Sequence, residues 1–141
     1  MNQTNFPISL ELRIDFSELD ILGHVNNVMF FKYLQASRIK YWETIGINPG
    51  FRTDQIVPVL VSTSCQFKKQ LLYPGNVLVK TGITFIKNTS FGIQHQMLDQ
   101  QGDVVAEAED IIVMIDIKKN EKVPVTKEMR ALVEKLEGRT Y

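Results

Sequence analysis

Between Asn26 and Ile45 the chain carries no proline or glycine, and that uninterrupted stretch constrains the fold more than any other. Its length suits an α-helix of roughly five turns. Asn26 and Asn27 are of the residue type that caps a helix N-terminus, and Gly46 is a natural C-terminal stop. The apolar residues Val28, Met29, Phe30, Phe31, Tyr33, Leu34, Ile39, Tyr41, Trp42 and Ile45 fall on most sides of such a helix. A helix that is apolar all round is expected to be buried on several sides. In a chain of 141 residues, a sheet curled around one central helix meets that demand.

The flanking sequence supplies the strands. Ile8, Leu10, Leu12, Ile14 and Phe16 alternate with polar residues over 7–16, which predicts a strand with one buried face. After a loop holding Pro49 and Gly50, residues 58–69 place Val59, Val61, Thr63, Cys65 and Phe67 on one face. Tyr73-Pro74-Gly75-Asn76 reads as a turn with Pro and Gly in type II positions. Strands over 77–87, 91–99 and 103–117 follow, separated by short polar turns that imply antiparallel neighbours. Thr126 is a candidate N-cap for a closing helix with Met129, Leu132, Val133 and Leu136 at helical spacing. The order is strand, long helix, four strands, short helix. That predicts an α+β fold in one domain over 1–141.

Charge and cysteine content narrow the function classes. Sixteen basic and sixteen acidic residues balance, so there is no overall pull toward nucleic acid or an anionic membrane. Met1–Asn5 lacks the basic start and apolar core of a signal peptide, and no apolar run reaches membrane-spanning length. Cys65 is the only cysteine, which suits a reducing compartment. The expectation is a cytoplasmic protein with no nucleic-acid or membrane partner. Two distant histidines and one cysteine show no metal-ligand spacing.

The segment Leu19-Asp20-Ile21-Leu22-Gly23-His24-Val25-Asn26-Asn27 carries the chemistry. Asp20 stands in a loop, and Asn27 belongs to the first turn of the helix. The first N–H groups of a helix have no intrahelical partner and carry partial positive charge. Such a group can stabilise the oxyanion formed when a carbonyl is attacked. A nearby carboxylate can attack that carbonyl itself or activate a water. On spacing alone, an aspartate in such a turn more often caps or bends the backbone.

Asp20-Ile21-Leu22-Gly23-His24-Val25-Asn26-Asn27, with Phe30, Tyr33 and Arg38, resembles the signature of the 4-hydroxybenzoyl-CoA thioesterase-like branch of the hotdog superfamily. The likeness extends to Asp15-Phe16-Ser17-Glu18-Leu19-Asp20 and to the Cys65–Val77 strand and turn. It implies the hotdog fold, an antiparallel sheet wrapped around a long central helix. It implies an acyl-CoA or acyl-carrier thioesterase with Asp20 as nucleophile or general base, the Asn27 N–H as oxyanion donor, and Gly23 letting the loop approach the substrate. The acyl group would lie beside Phe30, Phe31 and Tyr33. Coenzyme A enters as part of the substrate and no separate cofactor is implied. Homodimers or homotetramers, with sites where subunits meet, are implied as well. Relatives often place small hydroxyl residues near the pantetheine or the second subunit's site, where this chain has Thr89 and Ser90. Two positions depart from the pattern: Gln35 replaces an acid of many relatives, and Leu22 replaces an asparagine of the plant acyl-carrier thioesterases.

Other candidates have plainer readings. His24 assists proton transfer or, more simply, fixes the backbone of the turn. Cys65 shares a strand face with Phe67 and reads as a buried, inert thiol. His95, with Phe91, Ile93 and Met97, reads as a packed histidine. Lys68, Lys69 and Lys87 face CoA phosphates or form a solvated edge. The alternatives to a thioesterase are a hotdog dehydratase, in which His24 or His95 is indispensable, and a non-catalytic acyl-CoA-binding module.

Overall fold

The computed structural model describes residues 6–47 and 55–141. The Met1–Asn5 start and the Pro49–Gly50 loop lie outside the described residues. Strand β1 (Ile8–Arg13) leads through a 3-10 turn (Phe16–Glu18) to helix α1 (Asn27–Thr44). Strands β2 (Ile56–Phe67), β3 (Asn76–Ile86), β4 (Ser90–Leu98) and β5 (Val104–Asp116) follow, then the two-residue β6 (Glu121–Lys122) and helix α2 (Lys127–Glu137). All pairings are antiparallel. The sheet runs β1-β3-β4-β5-β2, with β6 on the far part of β5. The expected strands are present, and β6 is one that the sequence pattern did not indicate.

Helix α1 begins where its caps dictate. Asn26 is the N-cap, and its side chain accepts from the N–H of Val28 at 3.0 Å. Its burial differs from the expectation. Phe30, Tyr33, Leu34, Ser37, Arg38, Tyr41 and Trp42 are buried, a single stripe at i, i+3, i+4 and i+7 spacing. Val28 and Phe31 face outward, 64% and 37% exposed. One face of α1 lies on the sheet, and the opposite face is free. Hydropathy hides this because Ser37 and Arg38 occupy the buried stripe while Val28 and Phe31 do not.

Those two polar residues belong to a layer that divides the core. Along α1, Phe30, Tyr33 and Leu34 join one apolar cluster, and Tyr41, Trp42 and Ile45 join another. Between them the Ser37 hydroxyl meets that of Thr81, Thr81 Oγ1 lies 2.7 Å from His95 Nδ1, and His95 Nε2 lies 2.6 Å from Asp110 Oδ2. Arg38 donates to the same Asp110 oxygen at 2.7 Å, and Thr63 donates to the other at 2.7 Å. Ser37, Thr81, His95 and Asp110 are fully buried. On β3, β4 and β5 the residues on either side of Thr81, His95 and Asp110 belong to the two clusters: Val79 and Ile83, Met97 and Ile93, Ala108 and Ile112. His95 is packed, as expected, but inside a hydrogen-bonded layer rather than against hydrocarbon alone.

Three local readings change. β1 ends early because Asp15 caps the 3-10 turn, and Phe16 stands out from the core, 70% exposed, edge-on to Tyr73. On β2 the register slips between Leu60 and Ser62, leaving Val61 without a partner. A one-residue slip exchanges the faces of a strand, so Leu60 rather than Val59 shares the face of Thr63, Cys65 and Phe67. Gly75 does not have a positive φ, so the turn at Tyr73–Asn76 is not type II. In α2, the Thr126 cap, accepting from Met129 N–H at 3.1 Å, is as the sequence predicts.

Candidate active site

Asp20 sits in a tight hairpin whose geometry accounts for the sequence around it. Leu19 and Val25 bridge as antiparallel partners, the Asp20 N–H donates to the His24 carbonyl at 2.7 Å, and the Gly23 N–H donates to the Asp20 carbonyl at 3.1 Å. A three-residue hairpin loop of this kind is a type I turn followed by a left-handed residue. Gly23 supplies that residue at φ +83°, with open space where a Cβ would stand. Conformation, rather than crowding, therefore requires glycine in this structure. Asp20 fills the first turn position, where aspartate folds back on the backbone. Its Oδ1 accepts from Leu22 N–H at 2.9 Å and His24 N–H at 3.2 Å. Among the described residues, nothing hydrogen-bonds Oδ2.

The helix N-terminus is similarly part-used. Asn26 takes the N–H of Val28 on its side chain and the N–H of Met29 on its carbonyl. The N–H of Asn27 has no acceptor among the described residues. Asp20 and Asn27, each with a hydrogen-bonding group unpartnered among the described residues, line the same cleft.

That cleft has a volume of about 320 Å³. One wall is the hairpin and helix start: Asp20, Leu22, His24, Val25, Asn27 and Phe30. The other is the segment after β2, from Phe67 through Lys68, Lys69 and Gln70 to Leu71. The walls are tied by the Val25 N–H, which donates to the Leu71 carbonyl at 2.9 Å, and by a bridge between His24 and Leu72. The Phe30 ring stands edge-on to Phe67 at 5.1 Å, making an apolar floor. A larger depression of about 560 Å³ lies across β1 and β3 around Glu11, Asn76 and Lys80. Glu11 also has an oxygen to spare there, but no helix N-terminal residue lines that depression, so the smaller cleft is the candidate site.

The remaining predicted residues divide. The backbone of His24 holds the turn, while its ring makes no hydrogen bond among the described residues. Phe31 lies on the outward side of α1, 6.5 Å ring to ring from Phe67. Tyr33 does not line the cleft. It is 2% exposed and its hydroxyl donates to Glu18 Oε1 at 2.8 Å. Thr89 and Ser90 are distant within one chain. Ser90 pairs with Val113 on β5, whereas Phe67 pairs with Ala106, a run of seven residues or roughly 23 Å along the strand. Only a second copy would bring such residues to this cleft.

Burial, then the charge of Asp110, pushes the Cys65 thiol up to about 11, the opposite of what a thiolate nucleophile needs. Lys69 is held by Asp99 and Asp103 at 2.8 and 2.7 Å, whereas Lys68 faces only Glu107, at 3.8 Å. Lys87 lies over the Phe85 ring, away from the cleft. Gln35 is exposed on the outer side of α1. Among the described residues no three of His, Cys, Asp and Glu are placed to hold a metal, and no helix is long and apolar enough to cross a membrane.

Glu18 is the residue that sequence reasoning missed. Asp15 and Glu18 form a capping box, with the Asp15 N–H donating to Glu18 Oε1 at 2.8 Å. The D-x-x-E spacing is the signal that points to it.

A single antiparallel sheet laid over one long helix defines the hotdog fold. The chain belongs to the thioesterase-like superfamily, whose profile matches residues 14–133. It is 23% identical over 131 residues to the long-chain acyl-CoA thioesterase FadM of Escherichia coli, covering 89% of this chain and 96% of that one. It is 31% identical over 70 residues to the Bacillus subtilis protein YsmA, a match spanning 50% of this chain and 46% of YsmA. A Thermus thermophilus thioesterase solved with coenzyme A and Zn superposes with a TM-score of 0.83, at 23% identity, over 96% of this chain and 98% of that one.

Proposed function

We propose that this protein hydrolyses acyl-CoA or acyl-carrier thioesters to a free acid and a thiol, with Asp20 as the catalytic carboxylate. The observation that carries the reading is the division of labour at Asp20: Oδ1 holds the hairpin, Oδ2 has no partner among the described residues, and Asp20 lines the same cleft as Asn27, whose N–H is also left over. A thioester carbonyl placed there has its oxygen at the amide and its carbon toward the carboxylate. Attack by Oδ2, or by a water that Oδ2 deprotonates, places negative charge on that oxygen, where the amide and the helix dipole stabilise it. The C–S bond breaks and the thiolate leaves readily, so no strong acid is needed on the leaving side. The water route gives the acid at once, whereas direct attack leaves an anhydride on Asp20 that a water then hydrolyses, restoring the carboxylate. Superfamily membership and the likeness to FadM support the same chemistry.

Phe30, Phe67 and Leu71 give the cleft an apolar lining for the acyl group, with Phe31 at its outer margin. Lys68 and Gln70 give it a polar rim for the pantetheine side. The family resemblance suggests a homodimer or homotetramer in which Thr89 and Ser90 of a neighbour complete each site. CoA enters as the carrier half of the substrate, in the cytoplasm, with no separate cofactor.

The test is thiol release from a panel of aliphatic and aromatic acyl-CoAs by the wild type and Asp20→Asn. Asparagine retains an acceptor for the Leu22 and His24 N–H groups, so the turn survives while the carboxylate is lost. Turnover should fall to background with the fold intact. Undiminished turnover in Asp20→Asn would remove Asp20 from the mechanism, and saturable acyl-CoA binding without hydrolysis would make the protein a binding module.

A further inference from the structure

Glu18 carries a buried carboxylate at the entrance to the Asp20 hairpin, 4% exposed, and its hydrogen bonds reach both α1 and the cap that starts it. Its side chain reaches the second turn of α1: Oε1 accepts from the Tyr33 hydroxyl and Oε2 from Lys32 Nζ, each at 2.8 Å. Oε1 also accepts from the Asp15 N–H at 2.8 Å. Its backbone carbonyl accepts from the N–H of Asn26 at 2.9 Å, and Asn26 is the N-cap that leaves only the Asn27 amide free. One residue therefore grips α1 through its side chain and the helix cap through its backbone. The next residue, Leu19, opens the hairpin that carries Asp20.

Burial alone would drive the Glu18 carboxyl toward its neutral form. The Lys32 ammonium, the Asp15 N–H and the Tyr33 hydroxyl outweigh that and hold it below the ordinary glutamate value. The clamp is thus an anion with three donors, a stiffer tie than a neutral hydrogen bond.

Resting on the thioesterase reading, we propose that Glu18 is a positioning residue for the reaction: it fixes the angle between the Asp20 hairpin and α1, and so the separation of Asp20 Oδ2 from the Asn27 N–H. Misplacing reacting groups by about 1 Å costs on the order of a hundredfold in rate. A loss of the clamp should therefore fall on kcat and leave the apolar cleft, and with it KM, nearly untouched.

The experiment compares wild type, Glu18→Ala, Glu18→Gln and Tyr33→Phe by steady-state kinetics, thermal melting and amide hydrogen exchange. Glu18→Ala should lower kcat about a hundredfold with KM within about threefold, and Tyr33→Phe about tenfold. Glu18→Gln, which keeps the Oε1 acceptor for Tyr33 and the Asp15 N–H but loses the Lys32 tie, should recover part of the loss. Exchange should quicken at the Leu22 and His24 amides, which bond to Asp20 Oδ1, and stay unchanged in β3, β4 and β5. If Glu18→Ala does not fold, Tyr33→Phe carries the test. Unchanged kcat with unchanged exchange at Leu22 and His24 would overturn the proposal. A kcat loss that merely follows the folded fraction, with exchange rising evenly across the sheet, would overturn it too. If the wild type hydrolyses no thioester, it is the thioesterase reading that fails. Exchange alone then decides the clamp: quickening confined to Leu22 and His24 supports it, and no local quickening overturns it.

Discussion

Asp20 and Asp110 each have a histidine for a neighbour, and the two settings are opposites. At Asp110 both oxygens are occupied, by Arg38, His95 and Thr63, inside a core that water does not reach. The donors have an order. A carboxylate can only accept, so His95 Nε2–H donates to Asp110, and His95 Nδ1 continues the chain to the Thr81 and Ser37 hydroxyls. At Asp20, among the described residues, one oxygen is occupied and the other is not, and the Asn27 amide of α1 is equally unclaimed. The contrast teaches that a histidine beside an aspartate does not mark a site. What marks it is hydrogen-bonding capacity left over once the fold has been satisfied.

The sharpest way to break the comparison is to substitute both aspartates. Asp20→Asn should reduce kcat/KM at least about a thousandfold, or about 4 kcal/mol of transition-state stabilisation, while moving the melting temperature by no more than about 2 °C. Asp110→Ala should do the reverse. It strands a buried Arg38 cation and costs about 3–5 kcal/mol of stability, read as a shifted urea midpoint, with the activity of the remaining folded fraction little changed. A thermally silent Asp110→Ala, or an Asp20→Asn that unfolds, would erase the distinction drawn here.

Acid should separate the two centres less drastically. Burial by itself raises the Asp110 carboxyl, but the hydrogen bond and charge interaction with His95, the Thr63 hydrogen bond and the charge of Arg38 prevail and hold it below 3.8. Its contribution to stability is therefore complete above about pH 5 and drains away as pH falls through 3.8 toward the lowered folded value. Glu137 acts in the opposite sense, since burial raises its carboxyl above 4.5 despite donors from Tyr41 and the Ile83 N–H. Its contribution is present below pH 4.5 and is lost as pH rises through the raised value. Urea midpoints between pH 3 and 7 should show an acid-side fall that is smaller in Asp110→Asn, the remainder coming from Glu18 and the other lowered carboxyls. They should also show a shallow decline above pH 4.5 that is absent from Glu137→Gln. Smallest of all is Cys65→Ala, which should change kcat/KM by less than about threefold and stability by less than about 1 kcal/mol, because a thiol raised to about 11 takes no part in either centre.

The legibility of the chain follows the range of its interactions. Asp20, Gly23, Asn26 and Asn27 could be placed from sequence because turn and cap chemistry acts within a few residues. The limits of α1, β3, β4 and β5 were readable for the same reason. The polar layer was not: Arg38 and Asp110 are 72 residues apart, and Thr81 and His95 are 14 apart on neighbouring strands. Nothing local marks Ser37 and Arg38 as core residues, so the apolar count around α1 suggested burial on several sides where one stripe is buried. Tyr33 shows the same limit. An aromatic residue beside a predicted tunnel looks like a wall until the structure gives its hydroxyl to Glu18, fifteen residues back.

The turn at Asp20 has a consequence for how such a protein changes through descent. The hairpin needs an acceptor oxygen at this position, whereas hydrolysis in the proposed mechanism needs the negative charge, and asparagine supplies the first without the second. A single-base substitution converts an aspartate codon into an asparagine codon. Selection on folding would not notice that event, and the cleft would remain able to hold its ligand. An enzyme built this way lies one silent-to-structure step from a receptor for its own substrate, and a duplicated copy could cross that step without ever passing through an unfolded intermediate.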